Sequence, residues 1–380
     1  MKKSFFILAA IALFAASCTK TEVVSNDSQV SQRGIGFSAY TARPTKAAQE
    51  DVTTDNFGSF EVTAIGNGAL YFDNVTFTKS TVWESATKYF WPAFPLTFCA
   101  YNTPTAYDNL TQTTGFARAI NTTTQTLTVA PAKELAYQQD LVAAYAEGKK
   151  ESDATNTYNS LSLTFNHYLT QVIVKASNAS STYKVVVDGV KIANMAPEGT
   201  YTFSTNTMTA PEETVNTNYS VDYTATFEPK TLGLEAKEVM TDAGTGKWYL
   251  IPQSVNSWDP ITPLNPETNS ANGNDGTYLA LKVKITANNG ALKIYPATGE
   301  NSGWMAVPIP SALSFLQGWK YTVNIKFFSN NGAGYVDPED GSDLNGDGKA
   351  NDNGKKIIGG EIKFNAYVDG WNNYSVDIDL

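Results

Sequence analysis

A period of two in the apolar residues constrains this chain more than any other feature. Leu161, Leu163, Phe165 and His167 alternate with Ser162, Thr164 and Asn166, and Leu279, Leu281, Val283 and Ile285 alternate with Ala280, Lys282 and Lys284. Successive strand side chains point to opposite faces, whereas a helix repeats every 3.6 residues, so both runs predict strands with one buried face. The same reading covers Phe60 to Ile65, Leu96 to Tyr101, Gln171 to Lys175, Tyr183 to Val187, Trp248 to Ile251, Tyr321 to Phe327 and Glu361 to Val368. Clusters of Gly, Asn, Asp and Pro separate them at the spacing of β-sandwiches. Only residues 132–146, behind Pro131, carry a weak helical pattern. The chain is therefore expected to be all-β. Its 380 residues suffice for two cores. The small, polar run Ala176-Ser177-Asn178-Ala179-Ser180-Ser181 marks the best linker, which divides the body into residues 34–178 and 179–380.

The N-terminus is an export signal. Lys2 and Lys3 precede an apolar run from Phe5 to Ala16 that closes on Ala15-Ala16-Ser17-Cys18. The run falls short of the roughly 20 residues a membrane helix needs. Small residues before a cysteine suit cleavage in front of a lipidated Cys18, with ordinary signal cleavage as the competing reading. Residues 1–17 would then be removed, and the polar stretch 18–33 would tether the body to the membrane. With Cys18 acylated only Cys99 remains, so no intrachain disulfide forms and burial must supply the stability. The net charge of −10 argues against nucleic acid or an anionic membrane surface as partner.

Nothing in the chain spells catalysis. His167 is the one histidine and alternates with Phe165 and Leu163, which suits a packed core residue better than a general base. Cys99 lies between Phe98 and Ala100 in a strand, where buried thiols are inert. No nucleophile elbow, zinc spacing, phosphate loop or dinucleotide fingerprint occurs. Carboxylate pairs remain open, because their separation is three-dimensional.

Several ordered segments resemble one family. They are Phe90-Trp91-Pro92 with Leu96-Thr97-Phe98-Cys99-Ala100-Tyr101, Asp140-Leu141-Val142-Ala143, Leu163-Thr164-Phe165-Asn166-His167-Tyr168-Leu169, Tyr249-Leu250-Ile251-Pro252-Gln253 and Gly318-Trp319-Lys320-Tyr321-Thr322-Val323. Together they are similar to the fimbrillin-like (Mfa-like) lipoproteins. The resemblance implies two transthyretin-like β-sandwich domains in tandem and a place in the type V pilus. There, subunits reach the outer membrane as lipoproteins, lose an N-terminal segment to an Arg/Lys-directed protease, and polymerise by donating a strand to one another on the cell surface.

The residues offer parts for that scheme. Ile35, Phe37 and Ala39 share one face of a predicted first strand, and Arg43-Pro44 and Lys46-Ala47 follow in a stretch without apolar pattern. Exposed segments after a strand are where proteases cut. The Arg43–Pro44 bond resists trypsin-like enzymes, so Lys46–Ala47 is the better site. The family more often shows Arg there, which leaves the protease open, and Lys46 as an ordinary solvated residue competes. Cutting at Arg33–Gly34 would shed the lipid but keep the strand. Removing the strand would bare an edge and apolar pockets that another chain's strand can fill. A donor should alternate, as Tyr374, Val376, Ile378 and Leu380 do; the same residues equally suit the last strand of the second domain.

A loop from Asp343 resembles a calcium loop, with oxygens from Asp343, Asn345, Asp347, the Lys349 carbonyl and Asn351, but Gly354 stands where the bidentate Glu belongs. An acidic hairpin tip reads the same way. The alternative to a pilus subunit is a monomeric surface lipoprotein that binds glycans through exposed aromatics such as Trp258 and Tyr335. The adhesion ligand is not legible.

Overall fold

The computed structural model describes residues 33–41, 58–102, 120–121, 123–156, 158–211, 221–243, 246–260, 276–287, 290–299, 301–310, 312–330, 332–339, 343–347, 352–359, 363–370 and 375–377. Cys18, Arg43, Lys46, Ala47, Lys349, Asn351, Tyr374, Ile378 and Leu380 lie outside them. Among the described residues no helix is long and apolar enough to cross a membrane.

The fold is all-β. In chain order the first strands are β1 (Phe37–Thr41), β2 (Ser59–Gly66), β3 (Ala69–Lys79), β4 (Trp83–Ser85), β5 (Leu96–Asn102), β6 (Thr126–Val129), β7 (Val142–Lys149) and β8 (Leu161–His167). Seven of them close in the order β1-β4-β3-β2-β5-β7-β8, and β6 stands apart. Their inward residues, with Trp91 from the connection between β4 and β5, form one core around Phe37, Phe60, Phe77, Phe98 and Phe165. The helical pattern after Pro131 resolves into a single 3-10 turn, Leu135–Tyr137, followed by β7. Val142, Ala143 and Ala144 pair and pack as a strand, so tertiary pairing overrides the weak local preference.

The remaining strands are β9 (Thr170–Asn178), β10 (Tyr183–Met195), β11 (Gly199–Thr202), β12 (Thr207–Thr209), β13 (Val221–Thr231), β14 (Lys237–Glu238), β15 (Trp248–Leu250), β16 (Gln253–Ser254), β17 (Tyr278–Ala287), β18 (Leu292–Tyr295), β19 (Gly303–Pro308), β20 (Ser314–Phe315), β21 (Trp319–Phe327), β22 (Tyr335–Val336), β23 (Lys363–Gly370) and β24 (Ser375–Asp377). One sheet runs β13-β10-β17-β19-β22 with β18 on β17, and the other β14-β9-β21-β23-β24 with β15 on β9. Val172, Val174, Val323 and Ile325 of one sheet and Val185, Val187, Leu281 and Val283 of the other share a single core.

The run 176–181 is not a linker. Residues 170–178 pair in parallel with β21 from Gln171↔Lys320 to Asn178↔Phe327, and Val172, Val174 and Ala176 are fully buried. The strand before residue 178 thus belongs to the second unit, and 179–182 form a corner between its two sheets. The chain passes between units at Tyr168 and Leu169, inside a third cluster that draws Cys99, Tyr101, Leu127 and Leu141 from one side and Tyr201, Phe203, Tyr249 and Ile251 from the other. Across the same join β6 pairs with β11, from Gly199↔Val129 to Thr202↔Thr126.

Candidate functional site

The first strand occupies a slot that its own sequence explains. Ile35, Phe37 and Ala39 are buried, while Tyr40 is exposed. The Phe37 ring is caged by Phe77 at 4.8 Å, Phe98 at 5.2 Å and Phe60 at 5.9 Å between centroids, all edge-on, an arrangement aromatic quadrupoles favour. Backbone pairing is lopsided. β1 runs parallel to β8 over five residue pairs, Phe37↔Leu161 to Thr41↔Phe165, but touches β4 only at Phe37↔Trp83. Ser38 is buried against Ser160, with hydroxyls 2.6 Å apart, and Asn156 Nδ2 donates to its Oγ at 2.9 Å.

The N-terminal end of the strand is tied down. The Ile35 N–H donates to the Tyr89 carbonyl at 2.7 Å, the Trp91 N–H to the Arg33 carbonyl at 3.3 Å, and Gly34 bridges Phe90. The Arg33 guanidinium donates to the carbonyls of Ala154 and Asn159. A protease needs an extended, accessible segment, and Arg33 is fixed on both its backbone and its side chain. Of the candidate cleavage points only Arg33 falls among the described residues, and its fixation argues against cutting there. Sequence reasoning found the strand but not the cage: Phe77 and Phe98 come from distant strands, and β4 is too short to carry a pattern.

At the other end of the chain, Ser375–Asp377 pair antiparallel with β23 of the same molecule, from Tyr367↔Asp377 to Asp369↔Ser375. Over these three residue pairs, Val376 lies opposite Val368 at the margin of the second unit's sheet.

The acidic loop is knitted to its own backbone. The Gly346 N–H donates to Asp343 Oδ1 at 2.7 Å, the Thr298 hydroxyl donates to Asp343 Oδ2, and the Asp347 N–H donates to Asn345 Oδ1 at 2.9 Å. Buried Asp352 accepts from Leu344 and Asn345 N–H at 2.8 and 3.1 Å and from Lys355 at 2.5 Å. Burial opposes its ionisation, but the Lys355 ammonium and the two N–H groups outweigh that and hold the carboxyl below its ordinary range. Among the described residues no group of three His, Cys, Asp or Glu is placed to hold a metal ion.

Trp258 and Tyr335 correct an expectation. They are 4% exposed each and pack edge-on at 5.8 Å, so they are core rather than sugar platforms. Gly276 makes this packing possible, since a Cβ there would lie 2.3 Å from the Trp258 backbone. His167 is buried with Nδ1 2.7 Å from Asp140 Oδ2. Burial pushes the Cys99 thiol up to about 12, leaving it protonated and unreactive.

The family model described as fimbrillin-like matches residues 45–336. No curated protein matches the chain. A fimbrial protein from Bacteroides vulgatus is structurally similar at 16% identity and TM-score 0.53, covering 89% of this chain and 99% of its own. A fimbrial assembly protein from Parabacteroides distasonis is similar at 8% identity and TM-score 0.40, covering 91% and 98%. At 16% identity the first of these likenesses speaks for the fold alone.

Proposed function

Because the chain belongs to the fimbrillin-like family, we propose that it is a structural or adhesive subunit of a type V pilus, matured by losing β1 and assembled by accepting a strand from a neighbouring subunit. The observation that carries this reading is the asymmetry of β1: a fully buried Phe37 in an aromatic cage, held lengthwise by β8 and by one residue pair on its other side. Withdrawing it would leave empty apolar volume beside unpaired backbone groups, the combination that strand addition satisfies. Export as a lipoprotein on Cys18 would bring the precursor to the outer membrane, and cleavage after Lys46 would detach the body from lipid and strand together. The fixed Arg33 supports the later site. The partners are other subunits of the pilus, and no catalytic role is proposed.

The Ser375–Asp377 pairing on β23 bears on the donor. For Tyr374, Val376, Ile378 and Leu380 to serve a neighbour, this end strand must first leave its own sheet, whereas the acceptor slot needs only the loss of β1.

Limited digestion with a trypsin-like protease tests the reading. Cleavage at Lys46 should yield a body beginning at Ala47 and a ladder of oligomers resistant to cold detergent. A body that keeps β1, or one that loses it and stays monomeric, would overturn the proposal.

A further inference from the structure

The outer face of the β13-β10-β17-β19-β22 sheet holds a buried amine. Lys191 of β10 is 2% exposed. Its row across the sheet runs Lys191↔Ala280↔Ala306↔Tyr335. The two alanines leave a trough in which the long side chain lies toward β22, with the Tyr278 and Trp304 rings 5.6 and 5.4 Å from Nζ. At the end of the trough Nζ is 3.1 Å from Oδ2 of Asp337, which is fully buried. Glu339 Oε2 and Asp222 Oδ2 stand 4.0 and 3.7 Å away.

The other oxygen of Asp337 is held by two donors. Oδ1 accepts from the Tyr278 hydroxyl at 3.1 Å and from the Glu339 N–H at 2.8 Å. Two donors on one carboxyl oxygen stabilise negative charge that develops there when a nucleophile adds to the carbon. The nucleophile beside it is the lysine amine.

From this geometry we propose that Lys191 and Asp337 condense to an intramolecular amide, a covalent cross-link between β10 and the segment after β22. Burial disfavours separated charges, and passing one proton from the ammonium to Oδ2 leaves a neutral amine and a neutral acid. The Nζ lone pair adds to Cγ and forms the C–N bond, while charge moves to Oδ1 under the Tyr278 and Glu339 donors. The protonated Glu339 carboxyl gives its proton to the Oδ2 hydroxyl. The C–O bond then breaks with its electron pair, water departs, and Glu339 recovers a proton from nitrogen. One amine and one acid become one amide and one water, with no oxidant or cofactor. Burial, and then the neighbouring Asp222 charge, push Glu339 up to about 7, so a large share of the chains carries a Glu339 proton near neutral pH. Holding the two groups in contact speeds the addition, since well-oriented intramolecular pairs reach effective molarities of order 10⁵ M or more. The product removes two buried charges and closes a long loop, as a disulfide would, in a chain whose one described cysteine, Cys99, is unbridged.

The test is the mass of the intact full-length protein, folded first and then denatured for the measurement. A chain lighter by one water, and a branched peptide joining the Lys191 and Asp337 segments after digestion, are expected. Lys191→Met and Asp337→Ala should restore the full mass. Should either fail to fold, Glu339→Gln, which changes no packing volume, should leave most of the chain uncondensed, and Tyr278→Phe should slow the mass loss that follows synthesis and first folding. A wild-type chain of full mass, in which Lys191 reacts with an amine reagent once denatured, overturns the cross-link.

Discussion

Phe37→Ala separates the precursor from the assembled state. Phe37 is fully buried and contacts three rings. Truncating such a residue costs roughly 3–5 kcal/mol from lost burial and the cavity left behind. The cage is built from β2, β3 and β5, whose backbones are paired to one another, so it cannot collapse around the missing ring and the upper end of that range applies. Urea unfolding of the uncleaved protein should show the whole loss as a lower midpoint at unchanged slope. On the proposed maturation, however, the residue departs with β1. Polymer formed after cleavage should therefore melt as the wild type does, and should form faster because the strand leaves more easily. A precursor loss below about 1 kcal/mol would mean that Phe37 does not anchor the strand. A polymer that inherits the defect would mean that β1 never leaves.

Lys46→Gln should block maturation while Arg33→Gln should not, read by N-terminal sequencing of the released body; release of the Lys46→Gln body at the same bond rate would exclude that site. Deleting residues 375–380 removes the β24 pairing on β23 and should lower monomer stability; polymer yield of the same variant reads the donor role, and unimpaired assembly would exclude it. If the Asp343 loop takes calcium, the ion should raise the melting temperature of the wild type but not of Asp347→Ala, because a ligand bound only to the folded state stabilises it; coincident curves with calcium and chelator remove the metal. Folded Glu339 keeps its proton to about 7, whereas an unfolded glutamate releases it near about 4.3. The folded state therefore binds more protons across that window, and stability should fall as pH rises through it and level off above 7. Glu339→Gln should flatten this slope, and an unchanged slope would assign it to another group.

The strands legible in the sequence are those whose alternation is uninterrupted. Leu161–His167 and the run from Leu279 to Ile285 read directly because each is buried on one face at least. β10 extends to Met195, well past the predicted Val187, because a register shift between Val187 and Gly189 breaks the period and Lys191 reads as a solvent residue. The supposed linker misled for a related reason: Ala176, Ser177 and Asn178 are small and polar enough for a loop, yet β21 pairs them into a sheet interior. Trp258 and Tyr335 could not be placed from sequence, since their burial depends on each other and on the backbone contact at Gly276. Of the slot, the strand and its inward residues were readable as local pattern. The cage and the fixing of Arg33 are contacts between distant segments and leave no local trace.

In the proposed fibre, the join between the two units would set where the filament is stiff. Load passing along it would cross from one half of the subunit to the other through the Tyr168, Tyr201, Phe203 and Tyr249 cluster and the β6–β11 pairs. Packed rings resist bending, and paired backbones resist twisting. Each subunit would then flex as one rod rather than as two beads on a string. The compliance of the filament would be concentrated where one subunit meets the next.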